Sequence, residues 1–147
     1  MRRLAVPVCV LALTLFAVTL ASAAGVVRIH AELRSASAVP RPTGALDARG
    51  SFSASFPRAG ARPRFLWTIL FFDLSGPAVE ADLQVGPPGA AGSVLFPLCR
   101  PCKASESGST KLTQRGVRLI ESGATYVNLR TAKNPDGEIR GQALLRR

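Results

Sequence analysis

Gly123-Ala124-Thr125-Tyr126-Val127-Asn128-Leu129-Arg130-Thr131, then Asn134-Pro135-Asp136-Gly137, then Glu138-Ile139-Arg140-Gly141-Gln142 is the stretch that decides the fold. Its centre is turn chemistry. Asn suits the first position of a type I turn, Pro presets φ at the second, Asp is favourable at the third, and Gly tolerates the backbone that follows. The flanks, residues 126–131 and 138–145, therefore read as a β-hairpin. Glu138, Arg140 and Gln142 share one face of the second strand, and Ile139, Gly141 and Ala143 the other. Arg140 is expected to bind Glu138 or a cross-strand neighbour, and Asn128 the turn backbone. Gly141 permits close approach of another segment.

Upstream, period-2 alternation recurs. Val27, Ile29, Ala31 and Leu33 alternate with Arg28, His30, Glu32 and Arg34, a half-buried strand. Residues 46–56 repeat the pattern, with Gly50 on the inward side as a bulge or a close backbone approach. Residues 65–72 are apolar on both faces and read as a central strand covered on both sides. Val79, Ala81, Leu83 and Val85 mark another half-exposed strand, and Val94, Phe96 and Leu98 a short one. Residues 99–111 are polar and read as irregular. Residues 112–121 are the one plausible helix, anchored by Leu112, Leu119 and Ile120 and stopped by Gly123. Short strands joined by Gly/Pro turns imply an all-β chain: an antiparallel, Greek-key-like β-sandwich of seven to nine strands, with one short helix before the C-terminal hairpin.

The first 24 residues stand apart. Arg2 and Arg3 precede an uncharged apolar run from Leu4 to Leu20, and Ala21-Ser22-Ala23-Ala24 supplies small residues for a peptidase. This order predicts a secretory signal peptide cleaved after Ala23 or Ala24, leaving a domain over residues 25–147. The run is at the lower limit for a membrane span and Pro7 interrupts it, so no transmembrane anchor is expected after cleavage. Cys9 lies too early, and follows too bulky a Val8, for a lipoprotein site.

The whole chain carries +10 at neutral pH; without Arg2 and Arg3 it has 17 basic and 9 acidic residues, or +8. That sign favours weak attraction to anionic polymers. The arginines are dispersed and aromatics few, so specific nucleic-acid binding is not expected. Cys99 and Cys102 survive maturation as Cys99-Arg100-Pro101-Cys102. Outside the cytoplasm such a pair is most simply a disulfide. A redox Cys-x-x-Cys site would need a helix N-terminus to lower one thiol's pKa, and this pair follows a strand.

The C-terminal stretch resembles the signature ending of the CHRD domain, a family named after chordin and found in many secreted bacterial proteins. The family runs roughly Gly-x-x-Tyr-Val-Asn-x-His-Thr, a gap, then Pro-x-Gly-Glu-Ile-Arg-Gly-Gln. Here Tyr126, Val127, Asn128, Thr131, Pro135, Gly137, Glu138, Ile139, Arg140, Gly141 and Gln142 match. Looser likeness reaches back through Val39-Pro40 to His30-Ala31-Glu32-Leu33. The family's central His-x-His is Asp82 and Gln84 here, and its hairpin histidine is Arg130. Those histidines are reminiscent of copper/zinc superoxide dismutases. Without them no metal or other cofactor is expected, and an Asp82–Arg130 ion pair is the favoured arrangement. Cys99, Cys102 and His30 are the other ligand set to weigh.

The resemblance implies an exported, non-catalytic binding or structural module with an unknown protein or cell-envelope partner. Its possible binding surface lies near Asp82, Gln84 and Arg130. The alternatives are a metal-handling or small redox protein on a dismutase-like sandwich, and weak adhesion to anionic polymers. Nucleophilic catalysis lacks a Gly-x-Ser-x-Gly elbow, and the 86–92 glycine loop lacks the lysine of a phosphate cradle.

Overall fold

A computed structural model describes residues 25–44 and 46–146; the expected signal peptide lies outside them. The strands are β1 (Val26–Arg34), β2 (Arg49–Pro57), β3 (Arg64–Phe72), β4 (Ala78–Val85), β5 (Ser93–Cys99), β6 (Ser105–Lys111), β7 (Thr125–Thr131), β8 (Ile139–Gln142) and β9 (Leu144–Leu145), with helix α1 (Gln114–Glu121) before β7. All pair antiparallel in one sheet of order β5-β4-β7-β8-β1-β2-β3-β6, and β9 pairs with β1. The two end strands, β5 and β6, are consecutive in sequence. The sheet therefore curls back on itself into a nearly closed barrel-like sandwich, all-β with one short helix as the sequence implies.

The core fills the inside of this curl. Phe65 is fully buried, with ring centroids 6.4 Å from Phe52, 6.0 Å from Phe56 and 5.5 Å from Phe96 of β5. Burying one such ring stabilises the fold by about 1.5–3 kcal/mol. Ile29, Leu33, Leu83, Val127, Leu129 and Ile139 complete the interior from the other strands. Gly50 faces inward, and a Cβ there would lie 2.5 Å from the Leu70 carbonyl oxygen, so the position is a close backbone approach.

Several expectations need correction. β3 is covered on one face only: Phe65, Trp67, Ile69 and Phe71 are buried, whereas Leu66, Leu70 and Phe72 are exposed. Its neighbours β2 and β6 present serines on that outer side, and Ser53, Ser105, Ser107 and Ser109 are exposed. Residues 105–111 are not irregular but form β6. An edge strand needs little apolar character, and here Gly108 makes room for Trp67, whose ring carbon would be 2.3 Å from an added Cβ. β2 starts at Arg49 rather than at residue 46, because Leu46 and Asp47 are in a turn and Leu46 is exposed. In β4 a register shift between Ala78 and Glu80 puts Ala78 inside and Val79 out. The last strand divides: β8 pairs with β7, and β9 leaves it for β1.

Helix α1 starts one turn-setting residue later than Leu112. Thr113 is its N-cap, its hydroxyl accepting from the Gly116 N–H at 3.1 Å. Val117 and Ile120 are its buried anchors, while Leu119 is half-buried. Gly123, at φ +73°, ends it as the sequence implies.

Candidate functional site

The outer face of β4, β7 and β8 carries the polar residues that the sequence singles out. Core-facing Leu83, Val127, Leu129 and Ile139 force Gln84, Tyr126, Asn128 and Arg140 to the opposite side by strand alternation. Two loops then cover this polar side, residues 86–92 and residues 39–44.

The turn fixes one end. The Gly137 N–H bonds the Asn134 carbonyl at 3.2 Å, and the Asn128 side-chain amide donates to the Asp136 carbonyl at 2.8 Å. Gly137 suits the position: its φ is +149°, and a Cβ would fall 2.3 Å from Asn128 Oδ1 and displace that side chain. Asn134 reaches outward: its Oδ1 accepts from the Thr43 N–H at 2.8 Å, tying the 39–44 loop to the hairpin.

Glu138 is fully buried. Its carboxylate accepts from the Ser75 N–H and hydroxyl, both at 2.5 Å, from Thr131 Oγ1 at 2.5 Å, and from Asn134 Nδ2 at 2.8 Å. Burial alone would raise its pKa. The hydrogen bonds from Ser75, Thr131 and Asn134 outweigh burial and hold the carboxyl below its ordinary value.

Of the two expected partners, Arg140 takes the cross-strand one, Tyr126 of β7, and not Glu138. Its guanidinium lies 3.5 Å over the Tyr126 ring and donates to the carbonyls of Ala90 at 2.7 Å and Pro87 at 2.8 Å. The planar fork donates to two carbonyls from separate nitrogens while its face lies on the ring, a combination that an ammonium does not offer. Tyr126 donates to Gln84 Oε1 at 2.5 Å and accepts from the Gly92 N–H at 2.8 Å. Gln142 donates to Gly86 O at 3.0 Å and Gly123 O at 2.9 Å. Together these side chains peg the glycine loop down at both ends. Gly141 lets β8 lie against β1, since a Cβ would be 2.1 Å from the Glu32 carbonyl oxygen.

Asp82, Gln84 and Arg130 do converge. Arg130 Nη1 lies 2.9 Å from Asp82 Oδ2 and 2.9 Å from Glu80 Oε2, so the expected ion pair forms with Glu80 as a third member. Glu80 also pairs with Arg100. Asp82 is fully buried, and its Oδ1 has no hydrogen-bond partner. Burial raises its pKa against the opposing pull of the Arg130 charge. As a surface the trio is only partly available: Asp82 and Gln84 are buried, and Arg130 reaches the rim. That rim is a cleft of about 330 Å³ lined by Val39, Pro40, Val94, Asn128, Arg130 and Arg140. Glu80, Asn134 and Ser75 are participants that sequence reasoning missed. Glu80 was findable, because it precedes Asp82 by two and so shares its face.

Cys99 and Cys102 are bridged, S–S 2.09 Å, in the crossover between the end strands of the sheet. His30 is not with them: its Nε2 is 2.7 Å from Glu32 Oε1 on the outer face of β1. Among the described residues the cysteines are grouped instead with Glu106, ligand atoms within 4.8 Å of one another. No helix among those residues is long and apolar enough to cross a membrane.

No curated protein and no solved structure matches this chain. The family model of the CHRD domain, by contrast, matches residues 29–143, from the second inward position of β1 to just past the motif that pegs the loops, and the chain therefore belongs to the CHRD-domain family.

Proposed function

We propose that the protein is exported and that its β domain, residues 25–147, works outside the cytoplasm as a non-catalytic binding module for a protein or cell-envelope partner. The CHRD domain is of an extracellular type, which suits the basic, apolar, small-residue order of the first 24 residues. The carrying observation is how the motif is used. Tyr126, Asn128, Glu138, Arg140 and Gln142 each bond a loop or turn, and the loops so held frame the 330 Å³ cleft. Side chains engaged this way preorganise a binding edge rather than perform chemistry.

A photocrosslinking residue at Val94, half-exposed on the cleft rim, tests this in envelope fractions of the secreting cell. The expected result is one discrete adduct from Val94 and none from the same residue at Arg115 on the helix. The same adduct from both positions, or none from Val94, would contradict it.

A second reading has one observation in its favour. Cys99, Cys102 and Glu106 would offer two thiolates and a carboxylate if the disulfide were reduced, as a metal-handling or redox role requires. In the bridged form the two sulfurs are committed to each other.

A further inference from the structure

The other half of the curled sheet has an open outer face, on which Ser53, Leu66, Ser105, Ser107 and Ser109 are exposed. There β2 contributes Ser51, Ser53 and Ser55, and β6 contributes Ser105, Ser107 and Ser109. Between them stands β3, whose Thr68 bonds the Ser107 hydroxyl at 2.8 Å. The register sets Ser53, Thr68 and Ser107 in one cross-strand row and Ser55, Leu66 and Ser109 in the next. The hydroxyls thus form a grid, spaced about 4.8 Å across strands and about 6.7 Å along them.

Cations border this grid. A shallow trough of about 420 Å³ runs over it, with Arg28 and Arg146 at one side. Arg64 and Lys111 pair across β3 and β6 in the row beyond Leu66. Among the described residues none of these four cations is in an ion pair. The face's own acid, Glu32, is engaged by His30 and Arg34.

We infer that this face is a binding site for a linear anionic polysaccharide bearing carboxylates on its rings. Each part of the surface has a counterpart in that ligand. Arginine forks take carboxylates. Serine and threonine hydroxyls both donate and accept, as sugar hydroxyls require. Leu66, half-exposed in the middle of the trough, offers an apolar seat for the C–H face of a ring. Nucleic acid fits less well, because Trp67 is buried under the trough and leaves no platform for base stacking. A lipid surface would use Leu66 and Leu70 but leave the serine rows without partners. The site lies on different strands from the β4–β7–β8 cleft and stands independently of it.

Binding of the mature protein to alginate oligomers tests the inference, at about 0.15 M salt where diffuse charge attraction is screened. Dextran, duplex DNA and phosphatidylglycerol vesicles are the comparisons. The expected result is tight binding to alginate alone. It should weaken about tenfold in R28S/R146S and by a similar factor in S53A/S55A/S107A, whose charge is unchanged. R115S/R118S removes as much charge from the exposed side of α1 and should stay within about twofold of the parent. Four results would overturn the inference: DNA or vesicles binding as well as alginate, no effect of the serine variant, equal loss in the helix variant, or the face closing in a dimer that excludes alginate.

Discussion

Glu138 and Ser75 are 63 residues apart in sequence, yet both the N–H and the hydroxyl of Ser75 donate to the Glu138 carboxylate at 2.5 Å. The carboxylate just before β8 thereby fastens the β3–β4 turn, and through Asn134 the 39–44 loop as well. E138A would leave these buried donors without an acceptor. An unsatisfied buried group costs about 1–3 kcal/mol, so a loss of about 3 kcal/mol or more is expected in urea unfolding.

The pH dependence carries two opposite contributions. Glu138 is held below its ordinary pKa, so its stabilisation is fully present above the unfolded value, about 4.3, and is lost as pH falls through the folded one. Asp82 is shifted up. Its contribution is greatest below the unfolded value, about 3.9, and declines as pH rises through its folded value. Denaturation midpoints across pH should therefore show E138Q flattening the acid limb, and D82N gaining on the parent as pH rises. A D82N variant that loses stability at neutral pH would contradict the assignment.

Arg140 holds the glycine loop through Pro87 and Ala90. R140K keeps the charge but loses the fork and the stack on Tyr126, so amide exchange over residues 86–92 should quicken about tenfold while β2 and β3 stay protected.

Asp82, Gln84 and Arg130, which the resemblance aligns with the family's histidines, lie together, and that has a direct consequence. D82H/Q84H/R130H should acquire zinc or copper affinity, read by titration calorimetry, because it replaces the Arg130 cation by a ligand beside two others. A triple variant that binds no better than the parent would show that the side chains do not meet.

Where local pattern and environment agree, the sequence was readable. The alternation of β1, the turn at Asn134–Gly137 and the Gly123 stop of the helix needed no tertiary knowledge. The misreadings share one cause, the position of a strand in the sheet. Nothing local says that β6 is an edge strand beside β3, so its serines looked like loop. Nor does an apolar run say that Leu66 and Phe72 face outward. At the site, the Asp82–Arg130 pair followed from the family resemblance together with the opposite charges. The Glu138 latch did not, because its main partner is Ser75 on a distant turn.

An exported, disulfide-bonded binding module leaves a signature in the native mass spectrum of the protein recovered from the secreting cell. The prediction is the mass of the chain cleaved after Ala23 or Ala24, lighter by two hydrogens for the Cys99–Cys102 bridge and without a bound metal ion. An uncleaved chain retained in the cell, or reduced cysteines carrying a metal, would contradict it.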